Sequence, residues 1–83
     1  MENKYDKLVP IIEKLIKLQF KDNVEIIKVA VNKIGVRPIT IFYKMSKEFG
    51  IIESIRIEGE IMMILKSVLN LNSWECELFE KYS

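Results

Sequence analysis

The sequence has no histidine, one cysteine, three glycines and two prolines among its 83 residues. Because Cys76 is alone, no intramolecular disulfide bond can form, and a structural zinc site would need about four Cys or His ligands. The absence of histidine removes the commonest general acid–base residue. Three glycines are too few for a phosphate-cradling loop. We therefore expect a protein that is not an enzyme and that uses no metal, cofactor or small-molecule effector.

Long apolar runs are also missing. The longest is Ile61–Leu65, whereas a helix needs about 20 apolar residues to span a bilayer. The first residues, MENKYDK, lead into neither the apolar stretch nor the small-residue cleavage site of a signal peptide. These features predict a cytoplasmic protein without membrane contacts.

Apolar residues nevertheless make up 49% of the sequence, and isoleucine dominates them. This is enough for one small core, so residues 1–83 are predicted to form a single domain. The net charge of +1 is unevenly distributed, because residues 23–50 carry a net charge of +3 and residues 51–83 carry −3. A polyanion would therefore be attracted to the first of these two segments.

The segment 23–50 contains two patterns typical of amphipathic helices. In its first half, polar residues recur at helical spacing, at Glu25, Lys28 and Asn32. In its second half, the apolar residues that share one helical face are Ile41, Phe42, Met45 and Phe49. The patterns predict helices over 23–35 and 38–50, separated by a tight turn that contains Gly35. Two short helices joined in this way form a helix-turn-helix.

Three further elements are predicted around this segment. An apolar stripe indicates a first helix from near Asp6 to Phe20, with Pro10 in its first turn. From 51 to 65 the apolar residues alternate, which predicts a β-hairpin with Gly59 at its tip. A last helix is expected over Trp74–Tyr82.

The motifs GVRPITI at 35–41 and KEFGIIE at 47–53, followed by the hairpin that ends at Leu65, resemble the winged helix-turn-helix superfamily. The resemblance covers residues 5–66 and leaves 73–82 as a C-terminal helix. It implies a mainly α fold of three helices, a two-stranded wing and that last helix. It also implies sequence-specific binding of double-stranded DNA by a small transcriptional regulator. The sequence departs from the superfamily at the wing tip, Glu58–Glu60, which is acidic and would be repelled by phosphates.

The resemblance assigns DNA contacts to the exposed side of the predicted helix 38–50 and to the turn before it. The candidate residues are Arg37, Thr40, Tyr43, Lys44, Lys47 and, beside the turn, Lys33. Arg37 and Lys47 are expected to meet phosphates, and Thr40, Tyr43 and Lys44 to face the groove. The alternative for all of them is an ordinary solvated helix face.

The predicted C-terminal helix carries a second apolar stripe, which consists of Trp74, Leu78, Phe79 and Tyr82. We expect this stripe to form the interface of a homodimer, since two half-sites raise the affinity of a small DNA-binding module. The alternative is that this helix packs on its own domain.

Two other interpretations stay open. The near-neutral charge and the acidic wing favour a small winged-helix or α+β module, such as an inhibitor or adaptor, that binds a protein and not DNA. A different fold is also possible, because Val, Ile, Thr, Phe and Tyr favour sheets and residues 24–34 and 38–45 are rich in them. That chain would run helix, three or four strands, helix. The spacing of the polar positions 25, 28 and 32 argues against it.

Overall fold

In the computed structural model, residues 4–46 and 50–81 are described. They form two helices and a three-stranded sheet, in the order α1 (Leu8–Phe20), β1 (Val24–Val31), β2 (Ile39–Met45), α2 (Ile51–Leu69) and β3 (Cys76–Glu80). Neither helix in this described part of the chain combines the length and the apolar character needed to cross a membrane.

The first helix was predicted correctly, and it begins two residues later than expected. Ile12, Ile16 and Phe20 recur every four residues and are buried, which is the stripe that a helix turns toward its core. Pro10 is the third helical residue. Its missing N–H costs nothing there, because the first four N–H groups of a helix have no partner within it.

The strand order is β1-β2-β3. β1 and β2 are antiparallel, with Val31 opposite Ile39. The loop between them is held by the Asn32 side chain, whose Nδ2 donates hydrogen bonds to the Arg37 carbonyl at 2.9 Å and to Thr40 Oγ1 at 2.8 Å. Gly35 has a φ of 119° in this loop, a backbone conformation that residues with a Cβ rarely adopt.

β2 and β3 are parallel, and Ile39 lies beside Cys76. Two parallel strands cannot be joined by a tight turn, because the chain must first return to the end where it started. The helix α2 makes that return. One cluster of buried side chains from both helices and from alternate sheet positions forms the core, and the most enclosed members are Tyr43, Ile12, Ile16, Ile39, Ile41, Ile61, Leu65 and Cys76.

The predicted winged helix-turn-helix is wrong. Residues 24–31 and 39–45 are strands and not helices, as the alternative interpretation proposed for this segment. The strand pairing skips Ile27, so the register shifts between Ile26 and Lys28. This β-bulge adds one residue to the outward side. It therefore separates Glu25 from Lys28 by three positions and produces the spacing that resembled a helix.

The predicted wing and C-terminal helix are also wrong. Residues 51–65 lie in the 19-residue helix α2, and residues 76–80 form β3. The alternation that indicated a hairpin arises because α2 is apolar on two opposite sides. Ile57, Ile61 and Leu65 are buried, whereas Ile55 and Met63 are exposed. Glu58, Gly59 and Glu60, predicted at a wing tip, lie in the middle of α2.

Candidate functional site

Both helices pack on one face of the sheet, and the other face, which we term the open face, is not covered by a helix in the described part of the chain. On β2 the residues Ile39, Ile41 and Tyr43 point into the core. The residues between them and their strand neighbours form the open face, which consists of Glu25, Lys28, Ala30, Thr40, Phe42, Lys44, Glu77, Phe79 and Lys81.

Two phenylalanines stand side by side on this face. The parallel register places Phe42 beside Phe79, and the ring centroids are 5.6 Å apart with the ring planes tilted by 54°. Phe79 is 49% exposed. A pair of this geometry stabilises neighbouring strands modestly, yet it leaves much ring surface in water. The pair is an apolar platform surrounded by polar side chains.

A lysine follows each phenylalanine by two positions, in the segments FYK (42–44) and FEK (79–81). Side chains two apart on a strand share a face. The Lys81 N–H donates a hydrogen bond to the Tyr43 carbonyl at 2.7 Å, which continues the β2–β3 ladder and places Lys81 beside Lys44. The two Phe-x-Lys segments therefore form a row of aromatic rings next to a row of ammonium groups.

The lysines of the open face are only weakly neutralised by neighbouring groups. Lys81 Nζ lies 5.6 Å from both ring centroids, within the range of a cation–π contact. Lys44 Nζ is 3.9 Å from Glu25 Oε2, and the two side chains are 45% and 66% exposed. An exposed pair of this kind contributes little. Lys28, opposite Phe42 on β1, adds a third ammonium group.

The residues predicted to contact DNA are dispersed by the fold. Thr40 and Lys44 lie on the open face, and Lys33 is exposed in the loop between β1 and β2. Tyr43 is 1% exposed on the inner side of the sheet, so its predicted position on an exposed face is wrong. Lys47 lies outside the described residues.

Arg37, the sixth of these residues, has a structural role. Its Nη1 donates hydrogen bonds to the Ser73 carbonyl at 3.1 Å and to the Cys76 carbonyl at 2.9 Å. The guanidinium group therefore ties the β1–β2 loop to the turn that precedes β3. The guanidinium group is engaged by these carbonyl groups of its own chain. It does not belong to the open face.

The predicted dimer stripe does not exist as one surface, since a strand sends neighbouring residues to opposite sides. Leu78 is half-buried and packs against the core, whereas Phe79 is on the open face. Trp74 is 58% exposed in the turn before β3. Tyr82 lies outside the described residues.

A hydrogen-bonded carboxylate that the sequence did not reveal fixes the same turn. Glu75 is only 8% exposed. Its Oε2 accepts a hydrogen bond from the Tyr5 hydroxyl at 2.7 Å, and its Oε1 accepts one from the Asn72 N–H at 3.0 Å. The Asn72 N–H, and then the Tyr5 hydroxyl, lower the pKa of Glu75. The acceptor carboxylate in turn raises the pKa of Tyr5. The Asn-x-x-Glu spacing was the available signal.

Cys76 is enclosed and chemically inert. It is 1% exposed, and burial raises its pKa to about 11. Burial without solvent access, together with a small thiolate fraction, makes this thiol a poor nucleophile. Among residues 4–46 and 50–81, no three Cys, Asp or Glu side chains come together as ligands of a metal ion would.

No protein-family model, curated protein or solved structure matches this chain. The function has to be inferred from the open face itself.

Proposed function

We propose that this protein binds single-stranded nucleic acid on the open face of its sheet. The main support is the ring pair on neighbouring strands, in which Phe79 is exposed and Phe42 is half-buried. Lysine side chains lie beside this pair. Bases of single strands stack on aromatic side chains, and each stacked base contributes about 1–3 kcal/mol to binding. The ammonium groups beside the rings could pair with the phosphates that link those bases.

Lys44 and Lys81, which we term the lysine row, indicate the charge of the ligand. Their mutual repulsion destabilises the protein when no ligand is bound. Like charges at neighbouring positions of adjacent strands repel each other, and Lys44 and Lys81 occupy such positions. A phosphate placed between them would remove that repulsion. The arrangement therefore favours an anionic ligand over an apolar one.

A single strand fits this surface better than a duplex does. The ring centroids are 5.6 Å apart, which exceeds the rise of about 3.4 Å between stacked bases in a duplex. Bases that contact both rings must therefore be splayed, and duplex bases are not. The double-stranded DNA function expected from the sequence depended on an exposed helix at 38–50, but residues 39–45 form β2. Thr40 and Lys44 are candidate contacts in both the double-stranded and the single-stranded hypothesis.

The test is a fluorescence-anisotropy titration of a short labelled pyrimidine single strand and of its duplex. The wild type should prefer the single strand. Phe42→Ala and Phe79→Ala should each weaken binding by about 5-fold to 100-fold, the equivalent of one lost stacking contact. Phe79→Leu, which keeps an apolar side chain without the ring, should behave like Phe79→Ala.

Leu18→Ala is the matched control. Leu18 is 66% exposed on α1, in the layer of the molecule that faces away from the open face, so its truncation should leave the titration unchanged. Equal binding by the wild type and both phenylalanine variants would refute the proposal. A wild type that binds no oligonucleotide would do so too, and would favour a protein partner for the same face.

A further inference from the structure

The open face carries a carboxylate on the side of the rings that lies opposite the lysine row. In the parallel pair of β2 and β3, Thr40 lies beside Glu77 and Phe42 lies beside Phe79, and the lysine row follows on both strands. Residues two apart on a strand share a face and are separated by about 7 Å. Along the strand direction, the open face therefore presents a hydroxyl and a carboxylate, then two rings, then two ammonium groups.

The carboxylate of Glu77 is exposed and is not neutralised by its own chain. Within residues 4–46 and 50–81, every ion pair is formed by Lys44 or Arg56 with other carboxylates, and none includes Glu77. Lys81 lies four residues further along the same strand direction, about 13 Å away between Cα atoms, and the rings lie between the two. Glu77 is thus an acceptor that a ligand on the open face can use.

The sign of the charge at Glu77 needs an explanation on a face that binds a polyanion. A carboxylate there weakens the binding of phosphates unless it makes a favourable contact of its own. A charged residue also protects an edge strand from pairing with another sheet, and β3 is an edge strand. A lysine would serve that purpose equally well and would attract phosphates too. A hydrogen bond accepted from the ligand explains the negative charge better.

Thr40 provides a hydrogen-bond donor beside this acceptor. Its Oγ1 accepts a hydrogen bond from Asn32 Nδ2 at 2.8 Å, and the same Nδ2 donates to the Arg37 carbonyl at 2.9 Å. A hydroxyl group that accepts one hydrogen bond still has its own proton to donate. Thr40 and Glu77 therefore present a donor and an acceptor side by side, on neighbouring strands and next to the rings.

We propose that Glu77 and Thr40 make the open face prefer cytosine to uracil and thymine, an inference that rests on the proposed binding of single strands. A pyrimidine stacked on Phe79 with its phosphate toward the lysine row turns its far edge toward Glu77. At that edge cytosine has an amino group, which donates to a carboxylate, and a ring nitrogen, N3, which accepts from the Thr40 hydroxyl. Uracil and thymine carry a carbonyl oxygen in place of the amino group, and Glu77 repels it.

The parallel direction of β2 and β3 is what keeps the two ends of this surface different. If the strands were antiparallel with Phe42 still beside Phe79, Lys44 would lie beside Glu77 and would neutralise it. In the observed register the cations gather at one end and the donor and acceptor at the other. A nucleotide has the same order of groups, with its phosphate and its base edge on opposite sides of the stacked ring.

Fluorescence-anisotropy titrations of the full chain with labelled octamers of deoxycytidine and of deoxyuridine are the test. The two probes differ only at the base edge that carries N3 and the amino or carbonyl group, so the ratio of their dissociation constants isolates the proposed contacts. The wild type should bind the deoxycytidine octamer about 5-fold to 30-fold more tightly. Glu77→Gln should bring the ratio to within about 2-fold of unity, because an amide can accept from cytosine or donate to uracil.

Glu80→Gln is the matched control. It removes the same charge from β3, but on the side of the sheet that carries the buried Tyr43, so it should keep the wild-type ratio. Thr40→Val should lower the ratio by about 2-fold to 5-fold, because only cytosine uses the hydroxyl proton. Any loosening of the loop at Asn32 in this variant affects both octamers equally and leaves the ratio unchanged.

A wild type that binds both octamers without preferring deoxycytidine overturns this inference and leaves the binding of single strands intact. A preference that survives in Glu77→Gln also overturns it, because another group must then read the base. A wild type that binds neither octamer overturns both this inference and the function on which it rests.

Discussion

The two sides of β2 show how one short strand serves two purposes. Ile39, Ile41 and Tyr43 are between 0% and 1% exposed, whereas Thr40, Phe42 and Lys44, which alternate with them, are half-buried on the open face. Residues on the inner side hold the sheet against α1 and α2. Residues on the outer side contribute little to that contact and form the open face, to which we propose that the ligand binds. Neighbouring residues are therefore expected to respond to substitution in opposite ways.

The largest expected effect is on the inner side. Ile41→Ala should lower the free energy of unfolding by about 2–5 kcal/mol, because it removes a fully buried side chain and leaves a cavity. For a small domain this is a large part of the total stability. Phe42→Ala should cost less, about 2 kcal/mol, because it loses the aromatic pair and the burial of about half of one side chain. Urea unfolding of the two variants measures the contrast, and equal losses would contradict it.

Substitution of Glu75 tests whether the turn before β3 stabilises the strand pair that carries both the core and the open face. Glu75→Ala should lower the free energy of unfolding by about 1–2 kcal/mol, since it removes the carboxylate that accepts hydrogen bonds from the Tyr5 hydroxyl and the Asn72 N–H. The pKa of Glu75 is lower in the folded protein than its ordinary value of 4.5. The carboxylate therefore stabilises the fold above pH 4.5, and this contribution is lost as the pH falls through the lowered pKa.

Urea unfolding of the wild type and Glu75→Gln at pH 7 and pH 3 checks the sign of this effect. The difference in stability between the two proteins should shrink at the lower pH. A difference that grows on acidification would show that Glu75 does not act through its charged form.

Substitution of Arg37 distinguishes the phosphate contact predicted from the sequence from the loop-anchoring hydrogen bonds of the fold. Arg37→Met should lower the free energy of unfolding by about 1–2 kcal/mol through the loss of two hydrogen bonds to carbonyl groups. Oligonucleotide binding at a temperature where the variant is folded should change less than 2-fold, which is about 0.4 kcal/mol. A phosphate-binding Arg37 would give the opposite pattern, a stable variant with weak binding.

The smallest effects on stability are expected for the lysine row. Lys44→Gln and Lys81→Gln should each change the free energy of unfolding by less than about 0.5 kcal/mol. Each should also reduce the steepness of the log–log dependence of oligonucleotide binding on salt by about 0.7, the value for one phosphate contact to a single strand. An unchanged salt dependence in both variants would place the phosphates elsewhere.

Helix α1 could be predicted from the sequence because its apolar residues recur on one side only and Pro10 fits its first turn. The other elements were predicted wrongly in the preferred interpretation, although the alternative placed strands at 24–34 and 38–45. Each failure has a physical cause. The bulge at Ile27 gave a strand the polar spacing of a helix. Exposed apolar residues such as Ile55 and Met63 lie on α2 opposite its buried ones, so a subset of the apolar residues alternates as in a strand. Both ambiguities disappear only when the partners of each segment are known.

The candidate site was predictable only in part. Thr40, Lys44 and Phe79 were identified as surface residues of interest, but in two separate groups and for different roles. Their proximity depends on the parallel register of β2 and β3, which no local pattern reports. The repeated Phe-x-Lys segments were a visible signal, and they acquire meaning only when the two strands are adjacent.

The parallel pairing of β2 with β3 also has a kinetic consequence. The β1–β2 hairpin and both helices can form through local contacts, whereas Phe42 and Phe79 meet only after the whole crossover through α2 has docked. Contacts between residues so distant in sequence close slowly. The platform should therefore be completed late in folding and opened early in unfolding. A bound nucleic-acid strand would contact both β2 and β3 and so hold them together. It should therefore protect the β3 amides from hydrogen exchange more than those of α1.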